Sequence, residues 1–315
     1  SSIGECLSCL SSVISRRLAD RPIGITEYNH CWWNIYRYEI LGSFAPYAAF
    51  QNMSMLTIHE GAVHTDVDLA YPSRKSLNPF RVNRSPILRA SELMATSFFI
   101  RGDVKPFTKR VDLVISENYL KNNKLESFKA VNAEQTKLAL VAGFATDCEV
   151  EPPAALRGVK IKPADIRMPP VGSSDTVMEA WFQDVVANEN GGGFNLKAFV
   201  KKMRDKSILT KDNITDVDRG VFQSDTGEIV LDSQNNSIKV STKKSQLAVL
   251  KKSENVDLGN LKILSTTASA AIGITSLDGK PIGESSRLVL VYATQEANSG
   301  MATSFDFEHA LTFGK

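Results

Sequence analysis

The order of helix-like and strand-like segments in the first hundred residues is the feature that most constrains the fold. Apolar residues recur at the helical spacing over residues 2–19, 33–51 and 86–100. Two short and largely apolar runs, residues 23–26 and 54–58, separate these segments and are typical of strands. The resulting order of helix, strand, helix, strand and helix indicates parallel α/β units.

Polar and ionisable side chains follow both predicted strands at the point where each strand ends. Glu27, Asn29 and His30 follow the first strand, and His59 and Glu60 follow the second. In parallel α/β folds the active site lies at the carboxyl ends of the strands. We therefore expect these residues to meet at one edge of the sheet.

A carboxylate beside aromatic and amide side chains suits the chemistry of sugars. Retaining glycosidases use two carboxyl groups about 5–5.5 Å apart, one as the nucleophile and one as the acid/base. Trp33 supplies an aromatic face near Glu27, while Asn29 and His30 can form hydrogen bonds with hydroxyl groups. The alternative is that Glu27 only accepts hydrogen bonds from backbone amides of the following loop.

The pattern changes near residue 101, where short β-rich runs replace the alternation. Turn signals such as Thr226-Gly227 and Asp278-Gly279 separate several of these runs. The runs are residues 111–116, 138–142, 228–231, 237–241, 246–250, 271–276 and 287–293. We therefore predict an α/β domain over residues 1–105 and an antiparallel all-β domain, a β-sandwich, over residues 106–315.

Charge and cysteine content argue against several kinds of partner. The chain has 37 Lys and Arg residues and 35 Asp and Glu residues, so its net charge is +2. This balance lacks the excess of positive charge that is typical of nucleic-acid-binding proteins. No apolar run approaches the roughly 20 residues that a membrane span requires. Cys6 and Cys9 have a CxxC spacing, but the second pair that a zinc site requires is absent from the sequence. With no cofactor motif either, we expect no metal and no cofactor.

Three segments near the first strand carry a resemblance to a known family. Residues 25–30 (Ile-Thr-Glu-Tyr-Asn-His), 36–39 (Tyr-Arg-Tyr-Glu) and 48–51 (Ala-Ala-Phe-Gln) resemble the seventh strand and following helix of clan A glycoside hydrolases. Residues 86–104, which end in Phe98-Phe-Ile-Arg-Gly-Asp-Val104, resemble the last helix of the (β/α)8 barrel of that family, where the chain continues into a β-sandwich. Weaker similarity to the accessory sandwich of cellulase-like and β-galactosidase-like members covers residues 223–227, 276–279 and 298–300.

The resemblance implies a fold, an activity and a set of site residues. The fold would be the last strands and helices of a (β/α)8 barrel followed by a β-sandwich. Glu27 occupies the position of the catalytic nucleophile, and the substrate would be a poly- or oligosaccharide. The substrate-binding residues would be Asn29, His30, Trp33, His59 and Glu60. A secreted or periplasmic location would follow from the family.

The chain departs from the family because it lacks most of the barrel. A complete barrel takes about 250 residues, whereas only residues 1–105 have the barrel pattern. The family places its acid/base Glu after strand four, and no such strand precedes Glu27. Glu60 is a weak replacement, because the family has an aromatic residue near that position. We therefore expect the C-terminal portion of a retaining hydrolase, cut at Ser1 within helix six. It would be inactive alone and would need the N-terminal barrel half as its partner.

Several residues and the function itself have alternatives. Arg37 either keeps the nucleophile ionised or is a solvated helix residue. We expect Glu39 to form a structural ion pair and Gln51 to be structural. Trp181 is either a platform for sugar stacking or a buried core residue. The chain as a whole could instead be a non-catalytic carbohydrate-binding or structural β-sandwich module on a scaffold remnant, or an inactive relative of the enzymes.

Overall fold

The computed structural model places two parallel strands with their helices at the start of the chain. It describes residues 1–30, 34–59, 85–122, 133–150, 163–170, 186–187, 193–296, 300–303 and 310–313. Strand β1 (Gly24–Tyr28) pairs with β2 (Met55–Ile58), and Gly24 lies opposite Met55. The parallel pairing confirms the relationship that the sequence predicted for these two strands.

Helices precede, connect and follow the two strands. Helix α1 (Ser8–Ile14) covers only part of the predicted 2–19 helix. A 3₁₀ turn (Arg37–Glu39) leads into α2 (Ile40–Phe50), and α3 (Pro86–Ala95) continues as one π-helical turn (Thr96–Ile100). This order agrees with α/β units, although two strands alone do not establish a barrel.

The start of α3 follows from its first residues. Ser85 is the N-cap, and its hydroxyl accepts a hydrogen bond from the Leu88 amide at 3.2 Å. Pro86 occupies the first helical position, where the proline ring is tolerated because no amide hydrogen is needed. The start of α3 is therefore determined by two neighbouring residues, the N-cap Ser85 and Pro86 at the first helical position.

Three strands between residues 110 and 167 form a parallel sheet, which corrects the prediction that residues 106–315 are entirely antiparallel. Strand β3 (Arg110–Ser116) is central and pairs in parallel with β4 (Gly143–Glu149) and β5 (Ile166–Arg167). The predicted strand at residues 138–142 is also wrong, because Lys137–Leu140 form a 3₁₀ helix. A short apolar run has the same pattern in a helix and in a strand, so its length of five residues did not distinguish them.

A six-stranded antiparallel sheet confirms the β-rich character of the later chain. Its strands are β8 (Val221–Gln223), β9 (Ile229–Asp232), β10 (Ser237–Ser241), β11 (Ser245–Leu250), β14 (Ala270–Ser276) and β15 (Leu288–Ala293). They lie in the order β15-β14-β11-β10-β9-β8 across the sheet. The predicted turns join neighbouring strands, and Gly227 and Gly279 adopt the positive φ that glycine permits.

The remaining elements are short, apart from one helix. The helices are α4 (Glu117–Asn122), α5 (Ala133–Thr136) and α6 (Leu196–Asp205), with a 3₁₀ turn at Ile282–Glu284. The paired strands are β6 (Val186–Ala187) with β7 (Gly193–Phe194), β12 (Val256–Asp257) with β13 (Lys262–Ile263), and β16 (Met301–Thr303) with β17 (Ala310–Phe313). In the described part of the chain, no helix is long and apolar enough to cross a membrane.

Helix α2 joins the parallel strands to the large antiparallel sheet. All of its residues are buried, as is typical of a helix that is apolar on every side. Its Gly42 packs so closely on the sheet that an added Cβ would lie 2.7 Å from Ile238 Cγ2 and 2.9 Å from Leu247 Cδ2. Residues from both sides of position 105 therefore share one hydrophobic core, and the domain boundary there stays a prediction.

The β12–β13 hairpin lies over the opposite face of the large sheet. A second small core contains Val256 and Ile263 from the hairpin, with Ala248 and Leu250 from β11 and Ile272 from β14. The sheet is thus covered by helix α2 on one face and by this hairpin on part of the other. This arrangement is compatible with a β-sandwich over the later part of the chain.

Candidate functional site

The carboxyl ends of β1 and β2 bring two of the predicted site residues together. His59 follows β2, and its amide donates a hydrogen bond to the Tyr28 carbonyl at 3.0 Å, which extends the strand pairing. The Nδ1 of His59 then lies 3.0 Å from Oε1 of Glu27. The Glu27 side chain is 60% exposed and the His59 side chain 32% exposed, so a ligand can reach both groups.

An irregularity in β1 decides where the Glu27 side chain points. Ile25 pairs with Leu56 and Tyr28 with Ile58, so Thr26 and Glu27 together lie opposite one residue of β2. Both are exposed, whereas a regular strand would alternate between its two faces. A bulge of this kind re-aims a side chain, and here it places the Glu27 carboxylate in the open.

The residues beside Glu27 anchor it to the core. Tyr28 is buried, and its ring stacks on Phe44 of α2 with centroids 4.7 Å apart. Burial raises the pKa of the Tyr28 hydroxyl, so this phenol stays neutral at ordinary pH. The packing of Tyr28 fixes the end of β1 and with it the position of Glu27.

Asn29 links the two segments that follow the strands. Its Nδ2 donates a hydrogen bond to the His59 carbonyl at 3.4 Å. This contact ties the backbone after β1 to the backbone after β2, near the Glu27–His59 pair. Asn29 thus belongs to the same edge, as predicted, and the structure shows it holding His59.

His30 lies at the same end of β1 but points into the core. It is 6% exposed, and its ring meets the edge of Phe44 with centroids 6.1 Å apart. Burial lowers the pKa of His30 to about 4, against the opposing effect of a hydrogen bond with the Tyr36 backbone. The imidazole is therefore neutral at physiological pH, and its predicted contact with substrate stays a prediction.

Arg37 is buried, so the expectation of a solvated helix residue is wrong. Its Nη2 lies 2.7 Å from Oε1 of Glu296, which follows β15. The Glu296 carboxylate also accepts hydrogen bonds from the Ser85 hydroxyl at 2.5 Å and the Ile87 amide at 3.1 Å. Sequence reasoning missed Glu296, because nothing local to that position indicates a partner so far away in the chain.

Glu39 is structural, as expected, but it acts through hydrogen bonds. Its fully buried carboxylate accepts hydrogen bonds from the Ser1 hydroxyl at 2.7 Å and the Ser2 amide at 2.9 Å. The Ser2 hydroxyl at 3.0 Å and the Ile3 amide at 3.3 Å donate as well. Among the described residues, these donors replace the ion pair that the sequence suggested.

Gln51 is structural, as predicted, and connects α2 to the parallel sheet. Its Nε2 donates hydrogen bonds to the carbonyls of Ala139 and Ala142, both at 2.7 Å. Its Oε1 accepts a hydrogen bond from the Phe144 amide at 3.1 Å. The side chain thus satisfies three buried backbone groups at the start of β4.

Three predicted residues lie outside the part of the chain that the structure describes. They are Trp33, Glu60 and Trp181. Within the described part, no group of three or more His, Cys, Asp or Glu side chains is placed to hold a metal ion. The described candidate site therefore consists of Glu27 and His59, with Asn29 beside them and His30 beneath.

This arrangement can support nucleophilic chemistry at Glu27. Its carboxylate is accessible, and an imidazole nitrogen lies within hydrogen-bonding distance to orient it. The loop-capping alternative for Glu27 concerns the loop after β1, of which residues 31–33 lie outside the described part of the chain. Comparison of the chain with protein-family models, curated proteins and solved structures gave no match.

Proposed function

We propose that this chain is part of a retaining glycoside hydrolase and that Glu27 is its nucleophile. The observation that carries the proposal is the exposed Glu27 carboxylate at the carboxyl end of a parallel strand, 3.0 Å from His59 Nδ1. Active sites of parallel α/β folds lie at this edge. A structural glutamate would instead be buried among backbone donors, as Glu39 is.

The residues around Glu27 take distinct roles in this proposal. Glu27 attacks the anomeric carbon as the glycosidic C–O bond breaks, and the leaving oxygen takes a proton from the acid/base carboxyl group. Water, deprotonated by the same acid/base, then hydrolyses the covalent glycosyl-enzyme ester and releases Glu27. His59 orients the carboxylate, and Asn29 holds His59 through its carbonyl. Trp33 and Glu60 would add contacts to the poly- or oligosaccharide, whereas the buried His30 supports this end of β1 through its packing on Phe44.

The finer fold belongs to the same proposal. Strands β1 and β2 with α2 and α3 would be the last units of a (β/α)8 barrel, and the antiparallel sheet would be part of an accessory sandwich. The acid/base carboxyl group would come from barrel strands supplied outside this chain. We therefore expect the isolated chain to show no turnover of aryl glycosides, and robust turnover by it would contradict this assignment.

Covalent trapping tests the nucleophile directly. A protein that joins this chain to the remaining barrel strands is incubated with aryl 2-deoxy-2-fluoro glycosides, which accumulate the glycosyl-enzyme intermediate. We expect the sugar on the peptide that contains Glu27, and we expect Glu27→Gln to abolish both labelling and turnover. Glu5→Gln, which changes an exposed carboxylate elsewhere, should leave both intact. A label on another residue, or an unchanged rate in Glu27→Gln, would refute the role of Glu27.

A further inference from the structure

The large antiparallel sheet has a groove on its outer face, far along the chain from Glu27. On the face that α2 covers, the sheet carries four fully buried side chains, those of Phe222, Ile229, Leu231 and Ile238. The other face of β8, β9 and β10 borders a cavity of about 400 Å³. A volume of this size is within the range of small-ligand sites. We call this cavity the outer-face groove.

Strand register fixes what the floor of the outer-face groove presents. Lys239 pairs with Val230, and Asp232 pairs with both Ser237 and Val221. Side chains of paired residues share one face of a sheet, so these five form two rows across three strands. The floor is therefore apolar at Val221 and Val230 and charged at its sides.

The segment before β8 forms one wall of the outer-face groove. Ile214 lines the groove and is 54% exposed, and its amide donates a hydrogen bond to Gln223 Oε1 at 2.9 Å. Arg219 and Asp216 line the same wall. A second cavity of about 300 Å³ shares Ile214 and Asp216 and continues towards Arg204 of α6. The two cavities are therefore neighbours on either side of this wall.

The carboxylates of the outer-face groove are engaged within their own turns. Asp216 Oδ1 accepts hydrogen bonds from the amides of Asp218 at 3.1 Å and Arg219 at 3.3 Å. Asp232 accepts hydrogen bonds from the Asn235 amide at 3.0 Å and from its Nδ2 at 2.8 Å. Both acidic side chains thus already have donors.

The cationic side chains of the outer-face groove are not engaged in this way. Among the described residues, neither the Arg219 guanidinium nor the Lys239 ammonium forms an ion pair. Both side chains belong to exposed residues at the rim of an apolar floor. A ligand with an apolar face and anionic groups would complement this arrangement, since Arg binds carboxylates in a planar, two-point manner.

We propose that the outer-face groove binds an acidic oligosaccharide, with Arg219 and Lys239 holding carboxylate groups of uronic acid units. The apolar faces of the sugar rings pack on Val221, Val230 and Ile214. The carbohydrate class rests on the function proposed for Glu27, while the anionic character rests on the groove alone. The site would hold an acidic polysaccharide on the antiparallel sheet, apart from the Glu27 edge.

Calorimetric titration of the whole 315-residue chain tests this assignment. The probes are a tetramer of galacturonic acid, a neutral galactose tetramer and sodium sulfate. We expect saturable binding of the acidic tetramer alone, weakened at least about tenfold by Arg219→Gln or Lys239→Gln, since about 1.4 kcal/mol corresponds to a tenfold change. Raising the salt from about 0.05 M to about 0.5 M should also weaken it.

A matched variant distinguishes binding in the outer-face groove from a general effect of removing a positive charge. Lys243→Gln removes an exposed lysine outside the groove and should leave binding unchanged. Absence of binding by the acidic tetramer would overturn the proposal, as would equal binding of sulfate or an equal loss in Lys243→Gln.

Glu27→Gln distinguishes this proposal from the proposed function, because it should leave the titration unchanged. Binding in the groove combined with failure of covalent trapping at Glu27 would reject the nucleophile and keep the groove. The reverse result would reject only the groove.

Discussion

Arg37 Nη2 and Glu296 Oε1 lie 2.7 Å apart and are both nearly buried, with side chains 5% and 11% exposed. Arg37 lies in the 3₁₀ turn before α2, whereas Glu296 follows β15 of the antiparallel sheet. The Glu296 carboxylate also accepts hydrogen bonds from the Ser85 hydroxyl and the Ile87 amide at the start of α3. One side chain from the end of the antiparallel sheet thus contacts the segments at which α2 and α3 begin.

We predict that Glu296→Gln destabilises the chain by about 3 kcal/mol, because removing one partner leaves the Arg37 charge buried without this carboxylate. Urea denaturation followed by circular dichroism measures the change. Asp257→Asn, which affects an exposed pair with Lys262, should leave the denaturation midpoint unchanged. A Glu296→Gln variant as stable as the parent would show that the pair contributes nothing.

We predict that Gln51→Leu costs about 3–5 kcal/mol in unfolding free energy. The change leaves the carbonyls of Ala139 and Ala142 and the amide of Phe144 without their side-chain partner. A buried polar group that loses its partner costs about 1–3 kcal/mol. The control Gln234→Leu alters an exposed glutamine and should stay within about 0.5 kcal/mol. Equal midpoints for the two variants would contradict this account of Gln51.

We predict that Gly42→Ala destabilises the chain by about 1 kcal/mol, although alanine is the better helix former. The added Cβ would lie 2.7 Å from Ile238 Cγ2 and 2.9 Å from Leu247 Cδ2. Overpacking costs about 1–3 kcal/mol, which exceeds the helix gain of about 1 kcal/mol. Thermal unfolding should show a lower midpoint for Gly42→Ala and a still lower one for Gly42→Val. A higher midpoint for Gly42→Ala would mean that α2 has room to move away from the sheet.

We predict that His30 destabilises the folded chain as the pH falls from about 6.5 to about 4. Burial lowers the folded pKa of His30 to about 4, below its ordinary value of 6.5. In this window the unfolded chain binds a proton that the folded chain does not, so stability falls as the pH falls. The difference amounts to about 3 kcal/mol, at about 1.4 kcal/mol for each pKa unit.

Denaturation midpoints at several pH values, compared with His30→Gln, measure this dependence. The parent should lose stability relative to His30→Gln between about pH 6.5 and pH 4. Parallel pH profiles for the parent and His30→Gln would show that His30 does not titrate as its burial requires. NMR titration of the His30 ring provides an independent reading of its pKa.

Local patterns predicted the edge at which Glu27 and His59 meet. Hydrophobic periodicity located both parallel strands, and their carboxyl ends follow from chain direction alone. The hairpins of the antiparallel sheet were equally accessible, because Thr226-Gly227 and Asp278-Gly279 are local turn signals. The parallel pairing of β3 and β4 could not be predicted in this way, because the sequence pattern of a strand does not depend on whether its neighbour is parallel or antiparallel.

The sequence by itself thus determined which segments become strands and which polar residues end them, because these properties depend on neighbours within one or two turns of the chain. Only the tertiary structure decided that a bulge exposes Glu27, that Phe44 and its surroundings bury His30, and that Glu296 reaches Arg37. Strand register and the partners of buried charges arise from packing between residues distant in the chain. A periodic pattern read along one segment contains no information about that packing.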